Sequence, residues 1–450
     1  MFINLEDIQK KTLAELEEIY VTHSNSAFYK LLTWGNINLH FRKAAGINLW
    51  DANGNQYWDF TSGYGALNLG HNHPSIIEAL KSHLEKPNLI QVNANLYNGV
   101  LSNNISHLTN GQLPKSLLTN SGTETVEEAM KLAYMYKKGK IVYCTHAFHG
   151  KTLGALSTLG DKSKNRYPVW DDLFLEVPFG NAPALEKALK RHSVSAFIIE
   201  PVQGEGGIVL PPKGYLNQVR ALCDQYGVSL ILDEIQTGLG RCGSMFCYQK
   251  FDIVPDILCL AKSLSGGVIP VGCVAAKKNI WEDTYGKMKN AILPTTTFGG
   301  NTFASVVAIK TLSLLKEGAL CEKAEGLGKY AMEKLKALQL KHEIITDVRG
   351  IGLFIGIEFG CLKNINRKKI EEFMISSMIS DLLNKYHILC SFTSNDPSVL
   401  RFEPPLIVTK NEIDYFVNSL DALLCREKNA FDLFVRSMLN TTKGMLNAPG

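Results

Sequence analysis

The chain has 450 residues, 45% of them hydrophobic, and a formal net charge of +4. That length suggests more than one core, and the apolar content excludes a largely disordered chain. The charge forms no block, because the basic run Asn366-Arg367-Lys368-Lys369 is short and reads as a solvated helix face. Nucleic acid is therefore not an expected partner.

An amphipathic stretch opens the chain (Leu5, Ile8, Leu13, Leu16, Ile19) and lacks the apolar segment of a secretory signal. Helices are predicted over 5–21 and 25–33. Residues 47–50, 51–54 and 56–60 read as strand, turn and strand. From about residue 75 to 310, helical stretches alternate with short apolar strands, most clearly at 141–144, 196–199, 229–232 and 257–260. Such alternation predicts an α/β layer with a mostly parallel sheet, in which ligands bind beyond the carboxyl ends of the strands. Beyond residue 310, helices at 303–317, 321–338, 368–385 and 410–425 surround strand pairs near 344–358 and 387–403, a smaller α+β domain.

The predicted organisation is an N-terminal segment over 1–70 joining the small domain, a large domain over 71–310, a small C-terminal domain over 311–430 and a tail over 431–450. The ten cysteines, Cys242 and Cys247 included, match neither a disulfide framework nor zinc spacing. No run of about 18 apolar residues is present to span a bilayer. A reduced, cytoplasmic protein without a membrane partner is expected.

Three motifs carry chemistry. In Leu117 to Ala133 a short apolar piece runs into Ser121-Gly122-Thr123, and a helix follows. Small residues at a helix N-terminus leave backbone N–H groups free for a phosphate, although taken alone the pattern is also an ordinary helix cap. Thr125 with Glu128 has the spacing of a capping box. A buried strand then delivers Asp233 at its carboxyl end, where an aspartate could cap, bind a metal or pair with a cationic ring. The glycines of Gly238-Leu-Gly240-Arg-Cys-Gly243 stand too far beyond that strand for a dinucleotide turn. Finally Lys262 follows an apolar strand directly. Burial there disfavours its ammonium form and makes the amine a usable nucleophile. In this order, a phosphate-cradling helix, a strand-end aspartate and a strand-end lysine are the parts that pyridoxal 5'-phosphate requires.

With these residues in place, the chain resembles the class III, or ω-amino-acid, aminotransferases over about residues 50–410. The resemblance rests on Leu69-Gly-His-Asn-His-Pro74, Asn120 to Ala129, Phe148-His149-Gly150, Glu200 to Gly207, Asp233-Glu-Ile-Gln236, the Lys262 segment, Thr297-Phe-Gly-Gly-Asn301 and Arg401-Phe-Glu-Pro-Pro405. Within the class, Leu210 to Tyr215, Pro255 to Gly267 and Thr295 to Gly300 are most similar to putrescine-acting members.

The resemblance implies a fold type I enzyme that binds pyridoxal 5'-phosphate, a homodimer with active sites shared across its interface, and an amine and a 2-oxo acid as substrates. It also implies roles. Lys262 bonds the cofactor. Ser121, Gly122 and Thr123 hold its phosphate, joined by Thr297 from the neighbouring subunit. Phe148 stacks on the ring beside His149, Asp233 pairs with the ring nitrogen, and Gln236 touches the ring hydroxyl. Tyr64 contacts substrate. Arg401 holds a substrate carboxylate, and Glu205 occupies Arg401 when the substrate has none. The pair His71 and His73 is read structurally, and no metal is expected.

Two departures stand out. Lys151 replaces an arginine found in acetylornithine-binding relatives, and Asn301-Thr302 replaces asparagine-proline. The first favours an amine lacking an α-carboxylate, since lysine lacks the planar fork. The expected activity is a ping-pong transfer from an ω-amine or diamine to 2-oxoglutarate or pyruvate. The alternatives are amination of a pathway aldehyde with glutamate as donor, an aminomutase, racemase or decarboxylase of the same fold, and a non-enzymatic cofactor-binding protein.

Overall fold

The computed structural model describes residues 2–90, 92–160, 166–170, 172–360 and 367–426. Asn366, the side chains of 367–374 and the tail beyond 426 lie outside the described residues, so the solvated face expected there and the tail are not part of this description.

The N-terminal helical stretch is broken. Leu5–Ile8 ends after one turn and a new helix, Leu13–His23, begins where Thr12 and Glu15 form a capping box. Ser26–Trp34 follows, capped by Asn25. Strands β1 (Phe41–Ala45), β2 (Asn48–Asp51) and β3 (Gln56–Asp59) then form an antiparallel meander; β1 had no signature in the hydrophobic pattern.

Seven strands make the central sheet: β4 (Lys115–Thr119), β5 (Lys140–Cys144), β6 (Phe174–Val177), β7 (Val194–Ile199), β8 (Ser229–Asp233), β9 (Ile257–Leu260) and β10 (Gly272–Ala276). Their order is β4-β10-β9-β8-β7-β5-β6, and β10 pairs antiparallel with both neighbours. Every residue of β7, β8, β9 and β10 is buried, because helices cover both faces. Alternate residues serve opposite cores: Leu230, Leu232, Leu258 and Leu260 join one cluster, Ile231, Ile257 and Cys259 the other. The helix Gly122–Tyr136 packs Val126, Ala129, Met130 and Ala133 on that second face.

A third sheet follows, with β11 (Ile345–Ile351), β12 (Phe354–Phe359) and, after β13 (Ile388–Leu389), β14 (Val399–Phe402) in the order β11-β12-β14. The strand pair expected near 387–403 is therefore split. β13 joins β3 in parallel, Ile388 opposite Trp58, while β14 places Arg401 opposite Gly356. Phe60, Phe402 and Phe416 close the contact between the chain's beginning and end, with ring centroids 4.8 to 5.4 Å apart. Among the described residues, no helix is long and apolar enough to cross a membrane.

Candidate active site

The carboxyl ends of β4, β5, β7, β8 and β9 point to one edge of the sheet, and the chemistry-bearing residues collect there. After β4, Ser121 caps the helix Gly122–Tyr136 by accepting from the Glu124 N–H at 3.3 Å. The capping box expected at Thr125 and Glu128 does not form. The helix starts four residues earlier, so Thr125 lies inside it, bonded to Thr119, and buried Glu128 pairs with Lys131. Gly122 and Thr123 occupy the first helical positions, whose N–H groups have no intrahelical acceptor. Space is kept open around them. A Cβ on Gly150 (φ +129°) would lie 2.2 Å from Thr123 Oγ1, and one on Gly122 would come within 3.0 Å of Ile235.

Asp233, at the end of β8, is buried. Its Oδ2 lies 2.7 Å from His149 Nδ1, and its Oδ1 accepts from the Ile235 N–H at 3.0 Å. Burial alone would lower the His149 pKa, but the hydrogen bond to Asp233 and the charges of Asp233 and Glu200 hold it above the usual value. Glu200, just beyond β7, accepts from the Phe148 N–H (3.0 Å) and the Gly204 N–H (2.9 Å). Burial pushes its carboxyl up to about 7. Glu200 thus pins the loop that presents half-buried Phe148.

Lys262 follows β9 and opens a short 3₁₀ turn, Lys262–Ser265, with φ +43°. Left-handed backbone is unfavourable for a side chain of this kind and persists only where the surroundings enforce it. The side chain is half-buried, yet protein atoms crowd the amine, and burial is the largest influence on its pKa, which lies below the usual lysine value. Glu403 and Glu205 oppose that shift, while Arg401 adds to it. No hydrogen bond or ion pair engages the amine among the described residues.

Arg401 on β14 is fully buried. Its Nη2 lies 2.5 Å from Glu205 Oε2, its Nη1 lies 3.4 Å from Glu403 Oε2, and its guanidinium stands 5.2 Å from the Tyr64 ring centre. Burial alone would raise the Glu205 carboxyl, but Arg401, the hydrogen bonds from Ser394 and the charge of Lys262 together hold it below its usual range. Tyr64 is half exposed in a left-handed turn with Gly63 and Gly65. Gln236 donates through Nε2 to both oxygens of Glu403, each at 3.1 Å, and to the Tyr64 carbonyl at 3.3 Å.

Sequence reasoning missed three residues. Glu403, Glu200 and Arg241 are buried charges whose partners come from distant segments. Arg241 binds the carbonyls of Leu353 and Pro404 and the side chains of Ser62 and Asn68. The glycine-rich loop after β8 serves to bury this arginine, and the residues around Leu239 fold back onto Ser244 and Met245. Thr297, in contrast, lies on an exposed loop before the helix Thr302–Glu317. Asn301 caps that helix, and Thr302, at the usual proline position, donates to the Pro87 carbonyl. His71 pairs with Asp59 at 2.8 Å, and His73 precedes the helix Pro74–Lys81.

These residues fit pyridoxal 5'-phosphate. An amine without a partner among the described residues, an anchored aspartate and a helix N-terminus opened by glycines collect at the carboxyl edge of the sheet. The family model for the class-III aminotransferases matches residues 33–424. The chain belongs to the class-III aminotransferases, which use pyridoxal 5'-phosphate.

A putrescine aminotransferase of Pectobacterium atrosepticum is 40% identical over 82% of this chain and 79% of its own length. The aminotransferase PigE of a Serratia species is 35% identical over 90% of this class-III chain, which spans about half (52%) of that longer protein. Among solved structures, the ornithine aminotransferase of Toxoplasma gondii superposes with a TM-score of 0.78 at 30% identity, covering 92% of this chain and 99% of its own. The taurine:2-oxoglutarate aminotransferase of Bifidobacterium kashiwanohense, solved with pyridoxal phosphate and glutamate, gives 0.78 at 25% identity over 86% and 92% of the two chains.

Two outcomes follow from this geometry. Gly150→Ala should weaken cofactor binding by tenfold or more, measured by equilibrium titration of the apoprotein, since the new methyl displaces Thr123; unchanged affinity would show that the glycine cradle is not the phosphate site. Reconstitution of the apoprotein should quicken with pH as the Lys262 amine loses its proton. Because the folded-state pKa is lowered, the midpoint of that rise should fall below the ordinary lysine value of 10.5.

Proposed function

We propose that this aminotransferase moves the amino group of an ω-amine or diamine of the putrescine type to a 2-oxo acid such as 2-oxoglutarate or pyruvate, by a ping-pong mechanism. The observation that carries the reading is the closed pair of Glu205 and Arg401. A substrate without a carboxylate meets a neutralised arginine, and a 2-oxo acid can displace Glu205 to reach the guanidinium in a bidentate pair. The putrescine-acting relative and Lys151 point the same way.

In this reading Lys262 Nζ would hold the cofactor, and its amine, once free, would take and return the proton moved on substrate. Burial lowers the pKa of that amine, which favours the neutral form a base needs. The cofactor, when bound, supplies an electron sink for the carbanion formed as the proton leaves. Asp233, oriented by His149, would keep the proton on the ring nitrogen. The N–H groups of Gly122 and Thr123 and the Ser121 hydroxyl would hold the phosphate. Phe148 would hold the ring, Gln236 would serve its hydroxyl and Tyr64 would meet substrate.

Homodimerisation belongs to the same proposal. Leu89, Ile90, Val92, Leu96, Ile292 and Phe298 are exposed on two segments tied together by the bonds of Asn95 to Gly300 and Thr302. A second copy would cover this apolar patch and bring Thr297 to a neighbouring site. A cytoplasmic location is part of the reading too. A second reading is amination of an aldehyde supplied by another protein, with glutamate as donor.

Putrescine should bleach the absorbance of the lysine-bound cofactor and yield parallel lines in double-reciprocal plots with 2-oxoglutarate. Bleaching by glutamate alone would select the second reading. Lys262→Ala should lose nearly all turnover. Val92→Asp should shift the protein towards monomer in light scattering, and a dimer of unchanged strength would place the interface elsewhere.

A further inference from the structure

Arg401 is engaged on two sides, and only one side can open. Glu205 reaches it from the loop after β7, is partly accessible to solvent, and is tied otherwise through the backbone N–H of Ser394 (2.8 Å). Glu403, two residues along β14 and its exit, is different. It is fully buried, both its oxygens accept from Gln236, and its Oε1 lies 3.9 Å from the Arg241 Nε. Its backbone is fixed as well, by the Glu403 N–H to the Phe60 carbonyl (3.0 Å) and by the Ser62 hydroxyl to the Glu403 carbonyl (2.6 Å). The turn of Gly63, Tyr64 and Gly65 wraps it closely enough that a Cβ on Gly65 would lie 2.6 Å from Glu403 Oε1.

The arrangement is an alternating row of charges: Arg241, Glu403, Arg401, Glu205. When Glu205 leaves, Glu403 stays, and Arg401 is never bare. An incoming carboxylate therefore meets a guanidinium whose field is already partly cancelled in a low-dielectric interior, where such cancellation is strong. An amine without a carboxylate is not penalised by the same fixed negative charge.

We propose that Glu403 is a specificity-determining residue, a permanent carboxylate beside Arg401 that weakens the grip of this site on substrate carboxylates and so biases it towards amines that lack one. The Gln236 and Arg241 contacts hold it there. The inference rests on the reading of Arg401 as the carboxylate-binding residue. It also predicts that the 2-oxo acid is bound more weakly than a site with Arg401 alone would allow.

The test is calorimetric binding of glutarate, an unreactive dicarboxylate, to the wild-type and Glu403→Gln holoenzymes, with KM for both substrates alongside. Glu403→Gln keeps an acceptor for Gln236 and removes the charge. Glutarate should bind about tenfold more tightly, and KM for 2-oxoglutarate should fall while KM for putrescine does not. A purely structural role would move both KM values the same way, so equal or weaker glutarate binding, or KM values that rise together, overturns the proposal. Should Glu403→Gln not fold, Glu403→Asp carries the test. It withdraws the charge from Arg401 by one methylene, and intermediate tightening is expected, while unchanged or weaker binding again overturns it. Glutarate binding needs no turnover. A chain that tightens as expected yet never deaminates putrescine would sink the diamine reading and leave the role of Glu403 standing.

Discussion

A charge taken out of water must find a partner, and the carboxyl edge of the seven-stranded sheet buries charges in unusual density. Asp233 is held by His149, Glu200 by the N–H groups of Phe148 and Gly204, and Glu234 by the N–H groups of Cys247 and Tyr248. Arg401 stands between Glu205 and Glu403, and Arg241 is surrounded by carbonyls and hydroxyls. Burial pushes Glu200 up to about 7 and Glu234 up to about 8, because both carboxyls are shut away from water. Each pair fixes a loop, so the electrostatic requirement also sets the shape of the cleft.

The same edge concentrates backbone strain. Tyr64, His146 and Lys262 all have positive φ without being glycine. Such conformations cost of order 1–3 kcal/mol each and survive when the surrounding structure over-determines them. Here the surroundings are fully buried strands on one side and the paired charges on the other.

Much of this was legible in the sequence because one-dimensional pattern and burial coincide there. Strands β7, β8 and β9 are covered on both faces, so they read as unbroken apolar runs, and a charge at the end of such a run, Asp233 or Lys262, stands out. The two-residue strand β13 has no such run, and its pairing with β3 depends on a contact across more than three hundred residues. Glu403 and Arg241 were not visible for a related reason. Either one looks like an ordinary surface charge until Gln236, Ser62 and Asn68 are brought beside it by the fold. The helix after β4 was misread at its start because Ser121, a better cap, lies four residues before Thr125 in the same polar run.

The central claim is that Lys262, at the end of β9, is the residue that carries the cofactor in this cleft. Borohydride reduction of the holoenzyme followed by peptide mass mapping tests it most directly. The account predicts a single phosphopyridoxyl adduct on the peptide containing Lys262. An adduct on another lysine, or none in protein that retains bound cofactor, would contradict it.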